Sequence, residues 1–231
     1  MIYGLIIAAG NQTRFENKTP KALMKIDGIP LLELNINAMN ETCDKVYVVV
    51  STTNQEWFSA YDKIIIESGA GCGDAVMKAL SQLDLSQDDT VFVQWGDCKH
   101  TLSVYKTLAE AYSGKWIIPC VEEEKPYVQI LPNSTGGVKV LFSKYGEATT
   151  SGFHDISLFY GNAEKMYESL QSFASATYSA LHSHYIHKHN NELLFLDVFN
   201  ETDLSAEIML MQDYALYDFN TIEEFNNLFN S

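Results

Sequence analysis

Strand-length apolar runs alternate with helix-length amphipathic segments through the first half of the chain, and that alternation restricts the fold more than any other feature. YGLIIAA (3–9) is unbroken and apolar, as a strand buried on both faces requires. PLLELNINAMN (30–40) places Pro30 at a first helical position and apolar residues at 31, 32, 34, 36 and 39. KVYVVVS (45–51) and DKIIIES (62–68) are β-rich, GDAVMKALSQL (73–83) is helical, and DTVFVQWGD (89–97) is a strand that ends on an acidic residue. LSVYKTLAEAYS (102–113) and KWIIPCV (115–121) continue the rhythm as helix and strand. Such a βαβα order predicts an α/β three-layer sandwich, with a mostly parallel sheet and helices on both faces. After residue 125 the pattern changes. PYVQILP, GGVKVLF and HDISLFYG predict strands joined by turns, a mixed or antiparallel extension. NAEKMYESLQSFASATYSALH (162–182) predicts one long helix, AEIMLMQD (206–213) a late strand, and NTIEEFNNLF (220–229) a closing helix capped by Asn220 or Thr221. Neither a repeat nor a low-complexity linker interrupts residues 1–231, which predicts a single domain.

Charge sets the first functional limits. A net charge of −15 and a pI near 4.6 argue against a general nucleic-acid binder and against docking on anionic lipid. No apolar run approaches the roughly 20 residues of a membrane span, and the N-terminus lacks the basic start of a signal peptide. Cysteines at 43, 72, 98 and 120 form neither C-x-x-C pairs nor a disulfide pattern, so reduced thiols and a cytoplasmic location are expected.

Against that acidity, cations gather in one place. Arg14 is the sole arginine, and Arg14, Lys18, Lys21 and Lys25 fall within twelve residues. They follow the first strand, and open α/β sheets bind ligands at the carboxyl ends of their strands. Ala8, Ala9 and Gly10 leave the backbone bare there, so amide groups can approach phosphate oxygens. Arg14 offers a planar fork of donors suited to phosphate, and Pro20 holds Lys21 in place. Together these residues predict a phosphate site, where each alone predicts only a turn or a surface lysine.

LIIAAGNQTRFENKTPKALMKIDGIPLLE (5–33) resembles the signature of the nucleotidyltransferases of GT-A-like fold: A-A-G, a short loop, R-[FM], then P-K-x-L and G-x-P-L-L. That group includes the sugar-phosphate nucleotidyltransferases, the phosphocholine cytidylyltransferases and the MobA-like NTP transferases. The resemblance implies a Rossmann-like, GT-A-type sandwich in which the extension at about 122–200 receives an acceptor. It also implies transfer of a nucleoside monophosphate from an NTP to a small phosphorylated acceptor, with Mg²⁺ or Mn²⁺ and release of pyrophosphate. Arg14 would hold the leaving phosphates and Lys21 the α-phosphoryl group, while Ala8, Ala9, Gly10 and Asn11 would contact the nucleotide. Asn11, Gln12 and Thr13 stand where the family usually has a glycine.

Three further segments carry the resemblance. In VFVQWGDCKH (91–100), Asp97 matches the family's G-D element and would bind nucleotide and metal. YALYDFNTIEEFNNL (214–228) resembles its closing element, which makes Asp218 and Asn220 the partner metal ligands; Asn220 serves equally as a helix cap. In ESGAGCGDAVMKAL (67–80), Gly71, Cys72 and Gly73 would lie along the base, with Cys72 where the family often has Thr or Ser. The glycine spacing there does not match a dinucleotide fingerprint. His154 and Asp155 fall where the family walls its acceptor pocket. His182, His184, His187 and His189 fit no zinc spacing and read as a solvated segment. The loop AAGNQTRF is similar to that of the small cytidylyltransferases of surface-polysaccharide (capsule) pathways, so CTP is expected ahead of UTP. A GT-A glycosyltransferase would carry D-x-D, whereas Cys98 and Lys99 follow Asp97.

Overall fold

The computed structural model describes residues 1–10, 19–67, 69–134, 136–147, 150–186, 191–212, 214, 219 and 221–229. In the first half, strands β1 (Ile2–Ile7), β2 (Lys25–Ile26), β3 (Ile29–Pro30), β4 (Lys45–Ser51), β5 (Lys63–Ile66) and β6 (Thr90–Trp95) alternate with helices α1 (Leu31–Asn40), α2 (Cys72–Leu80) and α3 (Leu102–Ala111). The second half holds β7 (Trp116–Glu123), β8 (Val128–Pro132), β9 (Val138–Phe142), β10 (Gly152–Asp155) and β11 (Leu158–Asn162). After these come α4 (Ala163–Thr177), β12 (Tyr178–Ser179), β13 (His184–Tyr185), α5 (Val198–Glu201), β14 (Ala206–Leu210) and α6 (Ile222–Phe229).

Ten strands form one mixed sheet in the order β5-β4-β1-β6-β11-β7-β10-β8-β9, with β14 against β7. The strands β5, β4, β1 and β6 pair in parallel. Because β11 runs antiparallel to both β6 and β7, those two point the same way. The carboxyl ends of β1, β4, β5, β6 and β7 therefore share one sheet edge. Side chains alternate across the sheet as a doubly covered layer demands. Val91 and Val93 join the core under α2 and α4, while Phe92 between them joins the core under α1 and α3. This is the predicted α/β sandwich.

Three boundaries differ from the sequence reading. HDISLFYG is two strands, because Ser157 takes a left-handed conformation at φ 63° and its N–H donates to Asp155 Oδ1 at 2.9 Å. The turn sends β10 to β7 and β11 to β6. The expected long helix stops at Thr177 and continues as the hairpin β12–β13. A longer helix would have had nothing to pack on: Tyr178 and Leu181 stay 51% and 86% exposed, while Tyr185 is drawn inward to donate its hydroxyl to Asp74 Oδ1 at 2.7 Å. Pro30 ends β3 and caps α1 instead of opening it. Thr221 caps α6 reciprocally with Glu224: Glu224 N–H donates to Thr221 Oγ1 at 3.1 Å, and Thr221 N–H to Glu224 Oε2 at 3.2 Å. None of the described helices is long and apolar enough to cross a membrane.

Candidate active site

Three segments distant in sequence meet at the carboxyl end of β1 because small residues let them. Gly96 N–H donates to Ile7 O at 3.0 Å, and a Cβ at Gly96 would lie 3.0 Å from that oxygen and 3.5 Å from the Cβ atoms of Ala8 and Ala22. Ala8 is itself pinned, with its N–H on Val49 O and its carbonyl receiving Asn54 Nδ2, both at 2.8 Å. Pro20 opens a tight turn in which Leu23 N–H reaches Pro20 O at 2.8 Å and Met24 N–H reaches Lys21 O at 3.0 Å. That turn aims Lys21 inward. Its Nζ donates to Asp97 Oδ2 at 3.1 Å and to Phe219 O at 2.8 Å, and lies 5.6 Å from the Phe219 ring centroid. Lys21 is 8% exposed, whereas the Asp97 side chain is 36% exposed and open to a ligand. A buried ammonium needs such partners.

A buried polar network fixes the loop that carries Asp97. Asn35 Nδ2 and Gln94 Nε2 donate to Cys98 O at 2.7 and 3.2 Å, and Tyr105 holds Gln94 through a hydroxyl bond of 2.5 Å. Tyr214 OH donates to Lys99 O at 3.2 Å, which leaves the hydroxyl to accept from His100 Nδ1–H at 2.5 Å. His100 thus carries a proton on Nδ1. Burial pushes its pKa down to about 3. Its Nε2 has no hydrogen-bond partner among the described residues. Sequence reasoning passed over Asn35, Gln94, His100, Tyr105 and Tyr214. Polar side chains at apolar-face positions, Asn35 in α1 and Gln94 within VFVQW, were the available signal.

The glycine loop after β5 is bare for a different partner than expected. Residues 191–195 lie across it: Leu193 N–H donates to Ala70 O at 2.7 Å, Gly73 N–H to Leu193 O at 2.8 Å, and Phe195 N–H to Cys72 Sγ at 3.3 Å. A Cβ at Gly71 or Gly73 would meet Leu193 O at 2.5 and 2.9 Å. The absence of a side chain at these two glycines thus accommodates protein backbone. Burial, with the Glu192 carboxylate adding to it, pushes the Cys72 thiol up to about 11. Asp74 closes the turn, accepting from Ala70 N–H at 2.9 Å and pairing with Lys78 Nζ at 2.7 Å.

The remaining candidates separate. His154 Nδ1 pairs with the Glu123 carboxylate at the end of β7, beside a cleft of about 340 Å³ lined by Glu122, Glu123, Glu124, Ser151, Gly152 and Phe153. That cleft is on the same sheet edge as Lys21 and Asp97. Asp155 is buried and holds the Ser157 turn, a structural task. Ala9 is buried at the end of β1, and Gly10 next to it is exposed with nothing within 4 Å of a would-be Cβ. Arg14, Asn11, Asp218 and Asn220 lie outside the described residues, as do His187 and His189. Phe219, between Asp218 and Asn220 in sequence, is buried and reaches Lys21. Among the described residues no group of three His, Cys, Asp or Glu side chains could hold a metal ion. The oxygen donors of Asp97 and Phe219 nevertheless suit a hard cation of the Mg²⁺ type, which binds through one or two carboxylates and substrate phosphates.

Comparison with known proteins matches this architecture. The family described as "MobA-like NTP transferase domain" matches residues 4–184. The bifunctional protein GlmU of Buchnera aphidicola is 30% identical over 99 residues, 40% of this chain and 21% of GlmU. GlmU of Thermotoga petrophila is 32% identical over 100 residues, again 40% and 21% of the two chains. The chain thus aligns with about a fifth of the length of these curated relatives. HddC from Yersinia pseudotuberculosis, crystallised in complex with GMP-PN, superposes with a TM-score of 0.71 at 16% identity, covering 100% of this chain and 99% of HddC. The 4-diphosphocytidyl-2C-methyl-D-erythritol synthase from Anaerococcus prevotii gives a TM-score of 0.64 at 12% identity, with coverage of 100% and 97%. The structural likenesses establish the fold.

Proposed function

The chain belongs to the MobA-like NTP transferase family, and from that premise we propose that it transfers a nucleoside monophosphate from an NTP, CTP by preference, to a small phosphorylated acceptor. The observation that carries the proposal is the pairing of Lys21 with Asp97 at 3.1 Å, across 76 positions of sequence, on the ligand edge of the sheet. A phosphate monoester has a second pKa of about 6, so the acceptor arrives ionised and needs no general base. One of its oxygens bonds to the α-phosphorus, the bond between that phosphorus and the α–β bridging oxygen breaks, and pyrophosphate leaves with the electron pair. The protein's tasks are positioning and charge stabilisation. Lys21 neutralises charge growing on the α-phosphoryl group, and Arg14 holds the leaving phosphates as a bidentate fork. Asp97, with Asp218 and Asn220, would hold Mg²⁺ or Mn²⁺, which when bound supplies further charge neutralisation at the triphosphate. His154 would face the acceptor from the end of the extension.

The preference for CTP rests on the likeness of AAGNQTRF to the loop of the small cytidylyltransferases, which also suggests a role in surface-polysaccharide precursors. One structural neighbour is named for a cytidyl product, and another was crystallised with GMP-PN, so guanine belongs in the test. All four NTPs are incubated with a panel of phosphorylated acceptors, and pyrophosphate is measured. CTP is expected to give the highest kcat/KM, and Lys21→Ala to lower kcat by about 10²-fold, as loss of one preorganised donor does. A purine nucleotide in first place overturns the base assignment alone. Release of a nucleoside diphosphate instead of pyrophosphate identifies a glycosyltransferase, and near-normal turnover in Lys21→Ala removes that lysine from the chemistry.

A further inference from the structure

Asn54 stands where β1 and β4 would otherwise go on pairing. The last regular rung is Ala8 N–H to Val49 O at 2.8 Å, next to the pair Ile7–Val49. In an unbroken parallel ladder the next rungs run from Ser51 N–H to Ala8 O and from Gly10 N–H to Ser51 O. Both are replaced. Ser51 N–H donates to Asn54 Oδ1 at 2.9 Å, and Asn54 Nδ2 donates to Ala8 O at 2.8 Å. Ser51 O accepts from Asn54 N–H at 3.1 Å. One carboxamide thus fills the gap between the strands as a peptide group would. Its orientation is fixed, because the Ser51 amide offers only a donor and the Ala8 carbonyl only an acceptor. Thr52 N–H holds the same turn to β5 through Ile66 O at 2.9 Å. Gly10 N–H, deprived of Ser51 O, has no acceptor among the described residues, and Gly10 is exposed with nothing within 4 Å of a would-be Cβ.

We propose that Asn54 is a positioning residue for the nucleotide loop: its carboxamide, wedged between Ala8 and Ser51, ends the ladder early, fixes the Ala8 carbonyl and leaves the Gly10 N–H to the phosphates of the nucleotide. The inference rests on the reading of the loop after β1 as the phosphate site. Asn54 acts through the backbone that it holds, not by touching the base or the phosphates. A backbone N–H donates to any phosphate oxygen. The wedge therefore serves every NTP alike, and the choice of base belongs to other groups. A bond to a phosphate that is made equally before and during the reaction contributes to binding, so its loss raises KM and spares kcat.

Asn54→Asp keeps the acceptor for Ser51 N–H but sets a carboxylate oxygen against the Ala8 carbonyl, and Asn54→Ala removes the wedge. Binding of CTP and of GTP with Mg²⁺ is measured by isothermal titration calorimetry. Both variants are expected to bind about tenfold more weakly than the natural protein, by the same factor for the two nucleotides. Gln55→Ala, which loses only an exposed bond to Thr52 O in the same turn, is expected to bind as the natural protein does. In turnover, KM for the nucleotide should rise by the same factor, while kcat and the acceptor KM stay within about twofold. Unchanged nucleotide affinity in Asn54→Asp and Asn54→Ala overturns the proposal, as does a fall in kcat as large as the rise in KM. The natural protein supplies a measurement that needs no variant. Amide exchange at Gly10, followed by NMR on protein labelled at glycine, should slow by about tenfold on saturation with CTP and stay constant at exposed Gly114. Exchange at Gly10 that does not slow overturns the proposal. Nucleotide binding without pyrophosphate release would remove the transfer reaction and leave these results standing, whereas a natural protein that binds none of the four NTPs removes both.

Discussion

His100 shows how one side chain under the site links its geometry to stability. The imidazole donates to Tyr214 and is kept neutral by burial, which lowers its pKa to about 3. In the unfolded chain the same group titrates near ~6.5. Between those values the unfolded state holds one proton more than the folded state. The contribution is therefore complete above the unfolded pKa and is lost as pH falls from about 6.5 towards 3, by up to about 1.4 kcal/mol per pH unit. His100→Asn keeps an N–H donor for Tyr214 and removes the titration. Urea unfolding should find the variant within about 1 kcal/mol of the natural protein at pH 7. On acidification below about pH 6 the natural protein should lose stability faster, by close to one proton's slope. Parallel slopes would show that His100 is charged or solvated in the fold. Lys21 lies at the other end of this dependence on neighbours: nothing in P-K-A-L states that the ammonium will be buried, and its partners Asp97 and Phe219 lie 76 and 198 positions away in sequence.

Among the elements, the crossing of residues 191–195 over the start of α2 is the least expected. Gly71 holds φ 105° with a would-be Cβ 2.5 Å from Leu193 O, so a side chain there is both strained and blocked. Gly71→Ala should cost about 2–4 kcal/mol in urea unfolding. Gly114 provides the comparison: it has φ 95° but nothing within 4 Å. Gly114→Ala should cost no more than the 1–2 kcal/mol of a left-handed residue, about half as much. Equal losses would mean that the segment yields easily and does not hold the loop. The same crossing lies against the motif from which base contact was expected, and backbone hydrogen bonds between segments 120 residues apart leave no periodic trace in either. The end of α4 is a comparable case. Helical periodicity continues past Thr177, but the hairpin is chosen by the hydrogen bond from Tyr185 to Asp74.

For the whole molecule, thirty acidic residues against fifteen basic ones give a net charge of −15, which opposes compaction by self-repulsion. Raising NaCl from about 10 to about 150 mM shortens the screening length to roughly 8 Å and should raise the thermal midpoint. A midpoint that falls or stays level would show that local ion pairs such as Lys78–Asp74 outweigh the net field. The α/β sandwich was legible in the sequence because burial on both faces forces unbroken apolar strands such as YGLII, and because amphipathic helices must follow them at a 3.6-residue period. The placing of Asp97 on the ligand edge was legible too, since a residue just past the carboxyl end of a parallel strand lies on that edge, and the cation-rich segment that holds Lys21 follows the neighbouring strand in sequence. The tertiary structure alone decided the rest. It decided that Lys21 and Asp97 are bonded to each other, that Asn35, Gln94, His100 and Tyr214 support them from below, that Asp155 serves a turn, and that Gly71 and Gly73 make room for backbone. Each of those facts is a contact between distant segments, set by which small residues allow approach and which buried polar atoms require partners, and a linear pattern records only the local half of such a contact.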